Sequence, residues 1–240
     1  MNQHKLSLSC FFPCYNDSGS IEDLVRDVDT VAGEFTDDYE VIVVDDGSMD
    51  ESRGVLKRLA NEYPRLKLVF HEHNRGYGGA LQSGFEASTK DLVFYTDGDG
   101  QYDAKELRVL MAEIGTDVDV VNGYKMKRSD PLYRVVIGKF YQITMRFLFG
   151  LKIRDVDCDF RLIRNDVLKR FSLSHTSGVI CVELVKKLER AGARFVEVPV
   201  HHYPRLHGRS QFFSLVRLVR VGVNLIRLWG QLMLKRGNGL

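Results

Sequence analysis

The chain has few of the features that staple a small domain or anchor one in a bilayer. Among its 240 residues there are only four cysteines, Cys10, Cys14, Cys158 and Cys181, in neither a CxxC pair nor a Cys/His zinc spacing. No disulfide framework or zinc module is therefore expected, and reduced core thiols of a cytosolic protein are. No window of about 18 uncharged apolar residues exists, so no membrane-spanning helix is predicted. The apolar run from Leu6 to Phe12 is short and leads into Tyr15-Asn16-Asp17, which argues against a signal peptide. A Walker A pattern is missing, and Leu81 stands where a dinucleotide fingerprint beginning at Gly76 would need its third glycine. A calcium loop opening at Asp97 fails as well, with Tyr102 at the glycine position and Arg108 at the final glutamate position. There is no internal repeat, no low-complexity linker and no recognisable RNA or DNA module, so nucleic acid is not an expected partner.

What is present suits one large domain with a short appendage: hydrophobic residues make up 44% of the chain and charged residues 28%. The net charge of +2 conceals an asymmetry. Residues 1–120 carry 11 Lys+Arg against 24 Asp+Glu, a net −13, whereas residues 121–240 carry 23 against 8, a net +15. A basic second half points to an anionic partner such as a phosphate or a membrane surface.

Apolar runs at 6–12, 39–44, 66–70, 92–95 and 118–121 read as strands. Between them lie helical stretches at about 20–31, 51–62, 80–88 and 103–114, the first opening on Ser20 and Asp23 as a capping box. Strands alternating with helices imply a doubly wound, mainly parallel, Rossmann-like α/β sheet. A main domain is expected over residues 1–205, divided near residue 121, with a loop and helix over 206–240.

The chemistry concentrates at strand ends. Leu92-Val93-Phe94-Tyr95 runs into Thr96-Asp97-Gly98-Asp99-Gly100-Gln101. Residues at i and i+2 of a strand face one way, so Asp97 and Asp99 would point together into the crevice beyond the strand's carboxyl end. Two adjacent carboxylates repel unless a cation or proton separates them. Hard oxygen donors favour Mg²⁺ or Mn²⁺, with substrate phosphates completing the shell and Gln101 adding an amide oxygen or orienting water. Asp45-Asp46-Gly47-Ser48 ends the second strand, and Pro13 to Asp17 ends the first. Arg75 and the glycine-rich start of the next helix would offer a cation and backbone N–H groups to an anion.

Taken together, Pro13-Cys14-Tyr15-Asn16-Asp17, Val44-Asp45-Asp46-Gly47-Ser48, Asn74-Arg75-Gly76 with Ala80-Leu81, and Thr96-Asp97-Gly98-Asp99-Gly100-Gln101 resemble the glycosyltransferase family 2 pattern on a GT-A fold. The resemblance covers about residues 6–211 and is nearest to dolichol-phosphate mannose synthases and bacterial polyprenyl-phosphate glycosyltransferases. It implies inverting sugar transfer from a UDP- or GDP-linked donor, with Mg²⁺ or Mn²⁺. By it, Pro13, Tyr15, Asn16, Asp17, Asp45, Asp46, Arg75, Gly76, Asp97 and Gly98 would face the donor, and Asp97, Asp99 and Gln101 would hold the metal. Asp155-Val156-Asp157-Cys158-Asp159-Phe160-Arg161 is similar to the family's Asp-x-x-Ser-Gly-Phe-Arg segment, with Asp159 in place of glycine. Asp99, Asp155 and Arg161 would be the catalytic set, Asp155 orienting Arg161 or the acceptor. Lys125, Arg128, Arg134, Arg205, Arg209 and Ser210 would hold an acceptor phosphate, although Gln211 replaces the lysine expected after Ser210.

A phosphate acceptor needs cations, whereas a sugar hydroxyl needs a general base, for which Asp155 and Asp157 are the candidates. Polar positions Arg217, Arg220, Asn224, Arg227, Gln231 and Lys235 trace one stripe of a helix whose remainder is apolar. Arg134, Lys139, Gln142 and Arg146 mark a similar pattern among Val135, Phe140, Ile143 and Phe147. Both helices suit a membrane interface and a polyprenyl phosphate acceptor at the cytosolic face; a homo-oligomer is the other use of such faces. Transfer to a saccharide hydroxyl, and a nucleotide-sugar binding protein without turnover, are the alternative functions.

Overall fold

The computed structural model describes residues 6–128, 132–205 and 215–234. Seven strands form one sheet: β1 (Leu8–Cys14), β2 (Tyr39–Asp45), β3 (Leu66–Phe70), β4 (Leu92–Thr96), β5 (Val120–Arg128), β6 (Phe160–Arg164) and β7 (Phe195–His202). Their order is β3-β2-β1-β4-β6-β5-β7. All neighbours are parallel except β6, which runs antiparallel between β4 and β5. The sequence reading of a mainly parallel doubly wound sheet holds, and β6 is the exception. Its five residues, Phe-Arg-Leu-Ile-Arg, bury both faces of the pleat, so they lack the alternation that would have marked them as a strand.

Helices cover both faces. On one, α1 (Ile21–Phe35), α2 (Ser52–Glu62) and α4 (Leu107–Glu113) pack on Leu8, Cys10, Phe12 and Cys14. On the other, α3 (Tyr77–Ala87), α6 (Asn165–Leu168) and α7 (Ile180–Arg190) meet Phe11, Ile42 and Tyr95. Successive β1 residues thus feed opposite layers, as the two-residue repeat of a strand requires. A third cluster joins α5 (Leu132–Phe149), α7 and α8 (Leu215–Trp229) through Met145, Phe149, Val182, Val185 and Leu228. After α8 the chain passes into a π-helical turn over Gly230–Leu234, which shifts the register of the long tail helix read from the sequence. The four cysteines are free and buried.

No described helix is long and apolar enough to cross a membrane. α5 and α8, besides the apolar residues they bury, each turn one polar side chain toward the domain and leave large apolar ones outside. Gln142 of α5 points inward, donating to Asp155 Oδ1 at 2.6 Å. Phe140, Ile143 and Phe147 point outward, 72%, 65% and 87% exposed. In α8, Asn224 donates to Ser177 Oγ at 3.3 Å, while Val223 and Ile226 stand in solvent. Trp229 Nε1 ties the two helices by donating to Leu148 O at 2.9 Å. Gln142 and Asn224, each expected on a solvated polar stripe, are therefore anchors to the domain.

Candidate active site

From β1 the chain moves outward through β2 to β3, and the connection after β3 crosses back to place β4 on the other side of β1. The crevice between the carboxyl ends of β1 and β4 is the topological switch point of such a sheet, where ligands bind. Pro13 at the end of β1 touches Gly98 just after β4. A Cβ on Gly98 would lie 2.1 Å from Pro13 O, so only glycine lets the two loops pass. Ser20 Oγ donates to Gly98 O at 2.9 Å and makes no helix cap, which corrects the capping-box reading. The hydroxyl is used as a donor, to Gly98 O and to Asp17 O at 3.2 Å, and not as the acceptor a cap requires.

Three carboxylates approach one another in this crevice. Asp97 Oδ1 accepts from Tyr77 Oη at 2.7 Å. Asp99 Oδ1 accepts from Gln101 N at 3.1 Å, and Asp99 Oδ2 accepts from the Arg205 guanidinium. Burial, then Asp159 and Asp99, push the Asp97 carboxyl well above the usual range. Burial pushes Asp17 up to about 6, with Asp99 and Asp50 adding and the Tyr15 N–H and Arg205 opposing. Asp97 and Asp99 thus present closely spaced hard oxygens whose mutual repulsion a divalent cation would relieve. Among the described residues no group of three or more His, Cys, Asp or Glu side chains forms a metal cage. Mg²⁺ or Mn²⁺ keeps most positions for waters and substrate phosphates when one or two carboxylates hold it. Gln101 lies beside them but gives its amide nitrogen to Tyr203 O at 2.9 Å, and its own carbonyl accepts from Tyr203 N at 2.8 Å. It clips the loop to the end of β7.

The raised Asp17 carboxyl has a consequence for pH. Its folded state holds a proton that the unfolded chain, at 3.8, has already released. The Asp17 contribution to stability is present below about 4 and is lost as pH rises to about 6, so over that range the donor-free wild type should lose stability relative to Asp17→Asn. Unfolding midpoints in urea across that range check this, and identical slopes for both proteins would refute it.

Several residues expected to face the donor are engaged within the protein. Asn16 adopts φ +58, a conformation asparagine tolerates, and its Oδ1 accepts from Met49 N at 2.8 Å. Its own N–H donates to Ser48 Oγ at 3.0 Å, so it bridges the ends of β1 and β2. Asp45 is fully buried and its Oδ2 accepts from Arg53 Nε at 2.6 Å. Asp46 Oδ1 accepts from His71 Nδ1 and Arg75 N, both at 2.7 Å, and its Oδ2 from Gly76 N at 3.0 Å. His71 Nε2 continues to Ser83 Oγ at 2.9 Å. In this arrangement Asp46 pins the loop that leads into α3, and the Arg75 guanidinium is left exposed. Tyr15 stays half-buried at the crevice mouth.

Two backbone N–H groups at the start of α3, expected to be free for an anion, are taken up within the protein. Gly78 N donates to Thr176 O at 2.9 Å, and Gly76 N is held by Asp46. These glycines admit the backbone of the 174–177 loop: a Cβ on Gly78 would sit 2.2 Å from His175 O, and one on Gly76 2.5 Å from Thr176 O. Glu183, buried in α7, fixes that loop by accepting from Ser174 N and His175 N, both at 3.0 Å. Gly78→Ala should therefore cost roughly 2–4 kcal/mol, as overpacking against backbone does at its upper end. Chemical denaturation measures it, and a loss below about 0.5 kcal/mol would count against the contact.

The acceptor side is built around Arg161, which is 0% exposed. Its guanidinium donates to Asn122 Oδ1, Tyr95 Oη and Val156 O, and to Asp159 Oδ1 at 3.2 Å. The carboxylate that meets Arg161 is thus Asp159, where Asp155 was expected. Asp159 takes that place because it stands two residues before Arg161, immediately ahead of β6, on the side the arginine faces. Arg161 is a positioning residue, holding the 155–159 loop to β4 and β5. Asp155 Oδ1 accepts from Gln142 and from Asp157 N at 3.2 Å. Lys125 Nζ donates to Asp157 O at 2.9 Å. Burial alone would lower the Lys125 ammonium, but Asp155, Asp157 and Asp159 keep it raised. Burial pushes Asp157 up to about 7, against the pull of Lys125. The side chains of Arg128 and Arg134, and Arg209 and Ser210 altogether, lie outside the described residues. Tyr77 and Tyr95 were not singled out from the sequence. Tyr95 shares its strand face with Asp97 and so was readable by alternation; Tyr77 arrives from α3 and left no such mark.

Known proteins bear on this site. Residues 9–171 match the family model for glycosyl transferase family 2. An undecaprenyl-phosphate 4-deoxy-4-formamido-L-arabinose transferase of Enterobacter sp. (strain 638) is 30% identical over 225 residues, covering 93% of this chain and 67% of its own. The protein of that name from Klebsiella pneumoniae is 28% identical over 220 residues, covering 91% and 66%. The chain spans about two thirds of the length of these relatives. Glucosyl-3-phosphoglycerate synthase from Mycobacterium tuberculosis, solved with Mn²⁺, UDP and glucosyl-3-phosphoglycerate, superposes with a TM-score of 0.70 at 17% identity, covering 94% of this chain and 79% of that one. Its complex with Mg²⁺ and UDP gives 0.71 at 17%, covering 94% and 80%. The fold is therefore GT-A, and with the family match over residues 9–171 the chain belongs to glycosyl transferase family 2.

Proposed function

We propose that the protein moves one sugar from a UDP- or GDP-linked donor to a polyprenyl phosphate at the cytosolic membrane face, inverting the anomeric carbon. The observation that carries this reading is the orientation of α5. One side touches the site loop through Gln142 and Asp155, and the other presents Phe140, Ile143 and Phe147 outward. A lipid acceptor needs this juxtaposition of an apolar landing surface and a polar catalytic cleft. The names of the curated relatives, undecaprenyl-phosphate sugar transferases, agree with it.

In the reaction an acceptor phosphate oxygen forms the new bond to the anomeric carbon while the bond to the nucleotide diphosphate breaks on the opposite face. The diphosphate departs with the electron pair. Asp97 and Asp99 would hold Mg²⁺ or Mn²⁺, which supplies Lewis-acid neutralisation of that departing charge. Tyr77 steadies Asp97 by its hydrogen bond, and Gly98 keeps the loop against Pro13. Lys125 supplies a cation on the acceptor side of the crevice, and Arg128, Arg134, Arg209 and Ser210 would complete the phosphate clamp, while Arg205, expected there too, pairs with Asp99 on the donor side. The phosphate is ionised near neutrality, so these groups position it and no base is required. An acceptor hydroxyl would need one, and Asp157, pushed up to about 7, is the group suited to it.

Incubation with labelled nucleotide-sugar and polyprenyl phosphate in vesicles tests the proposal. Label should enter a lipid and be released by mild acid; label found only in polysaccharide would support the hydroxyl reading. Replacing Phe140, Ile143 and Phe147 together by serine should weaken sedimentation with anionic vesicles about 100-fold, for ~3 kcal/mol of partial apolar burial. Unchanged vesicle binding would assign that face to another role, a self-association surface included.

A further inference from the structure

Arg205 sits where a cation is most needed. Its guanidinium pairs with Asp99 Oδ2, and the side chains are only 26% and 10% exposed. Besides Asp99, the charges of Asp17 and Asp97 favour its protonated form. The preceding chain is fixed to the loop after β4. Tyr203 N donates to Gln101 O at 2.8 Å, Gln101 Nε2 donates to Tyr203 O at 2.9 Å, and His201 N donates to Glu106 Oε2 at 2.8 Å. The rings of Tyr102 and His202 meet edge to face at 5.1 Å. The backbone is thus anchored two residues before Arg205, and rotation of the side chain suffices to take the guanidinium off Asp99.

We infer that Arg205 is an internal counter-ion that competes with the divalent cation for Asp99 in the donor-free protein and passes to the donor diphosphate when the metal enters. The inference rests on the proposed metal role of Asp97 and Asp99. A guanidinium and a divalent cation drawn to the same carboxylate repel each other, so the metal on its own must weaken or displace a satisfied ion pair. A donor diphosphate changes the balance, because it brings negative charge that accepts Arg205 and ligates the metal together. Metal and nucleotide affinities are then coupled through one side chain, and the coupling is reciprocal.

Calorimetric titration separates the possibilities, with Mn²⁺ alone and then Mn²⁺ with UDP or with GDP. The proteins are the wild type, Arg205→Gln, Arg205→Lys and Asp99→Asn. Arg205→Gln should bind Mn²⁺ alone about fivefold tighter than wild type, the size of a partly exposed ion pair, and the gap should narrow at high salt. With nucleotide present the sign should reverse, Arg205→Gln binding about tenfold more weakly. Arg205→Lys, which keeps the charge without the fork, should fall between and serves if the glutamine variant fails to fold, as thermal unfolding will show. Equal or weaker affinity of Arg205→Gln for Mn²⁺ alone, with binding abolished in Asp99→Asn, would overturn the counter-ion role and leave the metal site standing. Mn²⁺ that binds Asp99→Asn as well as wild type, or binds neither with nor without nucleotide, would overturn the metal site and the counter-ion role together.

Discussion

Arg161→Ala is expected to destabilise the protein by about 3–5 kcal/mol, because it strands the buried Asp159 carboxylate and three oxygen acceptors at once. The guanidinium is fully buried and reaches Asn122, Tyr95, Val156 O and Asp159 from a single strand position. Removing the arginine leaves Asp159 with the Tyr95 hydroxyl at 3.3 Å and the Cys181 thiol at 3.3 Å, neither of which balances a charge. Lysine should not rescue it, since a point charge cannot serve four acceptors spread over a planar fork. Combining Arg161→Met with Asp159→Ala removes both charges and should recover much of the loss. Urea denaturation measures each variant. A loss below about 1 kcal/mol for Arg161→Ala, or no recovery in the double variant, would show that the network is not what holds this loop.

Asp97→Asn should abolish nearly all transfer while making the donor-free protein more stable. The expected fall in kcat is about 10³-fold, the upper end for removing one electrostatic group from a preorganised site. The expected gain is ~1 kcal/mol, or a rise in Tm of about 2–4 °C for a chain of this size. Both follow from one cause: burial and the neighbouring Asp159 and Asp99 disfavour a charged Asp97 when no cation is bound. Asparagine keeps the acceptor for Tyr77 Oη and removes the charge. Asp99→Asn makes the contrast, for it loses transfer without the gain because it also breaks the pair with Arg205. Kinetics beside thermal unfolding of both variants test this, and a destabilised Asp97→Asn would refute the account.

The strands and their ends were legible because burial imposes a local rule. Tyr39 to Asp45 is buried throughout and reads as an apolar run, and Leu92 to Thr96 likewise. The end of an apolar run is also local, so the acidic segment could be found by counting, although Asp97 and Asp99 lie in the turn after β4 and not in the strand itself. The cap at Ser20 and the free N–H groups at Gly76 and Gly78 were misread for a common reason. Each depends on a group distant in sequence: Gly98 O for Ser20, Asp46 for Gly76 and Thr176 O for Gly78. A side chain or N–H with two chemically equal partners takes the one the fold delivers, and periodicity carries no information on which that is.

The same division runs through the whole molecule. By itself the sequence determined a doubly wound sheet with carboxylates at the ends of adjacent strands, because strand periodicity and apolar burial act over a few neighbouring residues. Only the tertiary structure decided that Gln142 and Asn224 turn inward while Phe140, Ile143, Phe147 and Ile226 stay outside, and that Arg205 reaches Asp99 from 106 residues away. An amphipathic pattern fixes that a helix has two faces, but which face meets the domain depends on whether Asp155 and Ser177 wait there to accept Gln142 and Asn224.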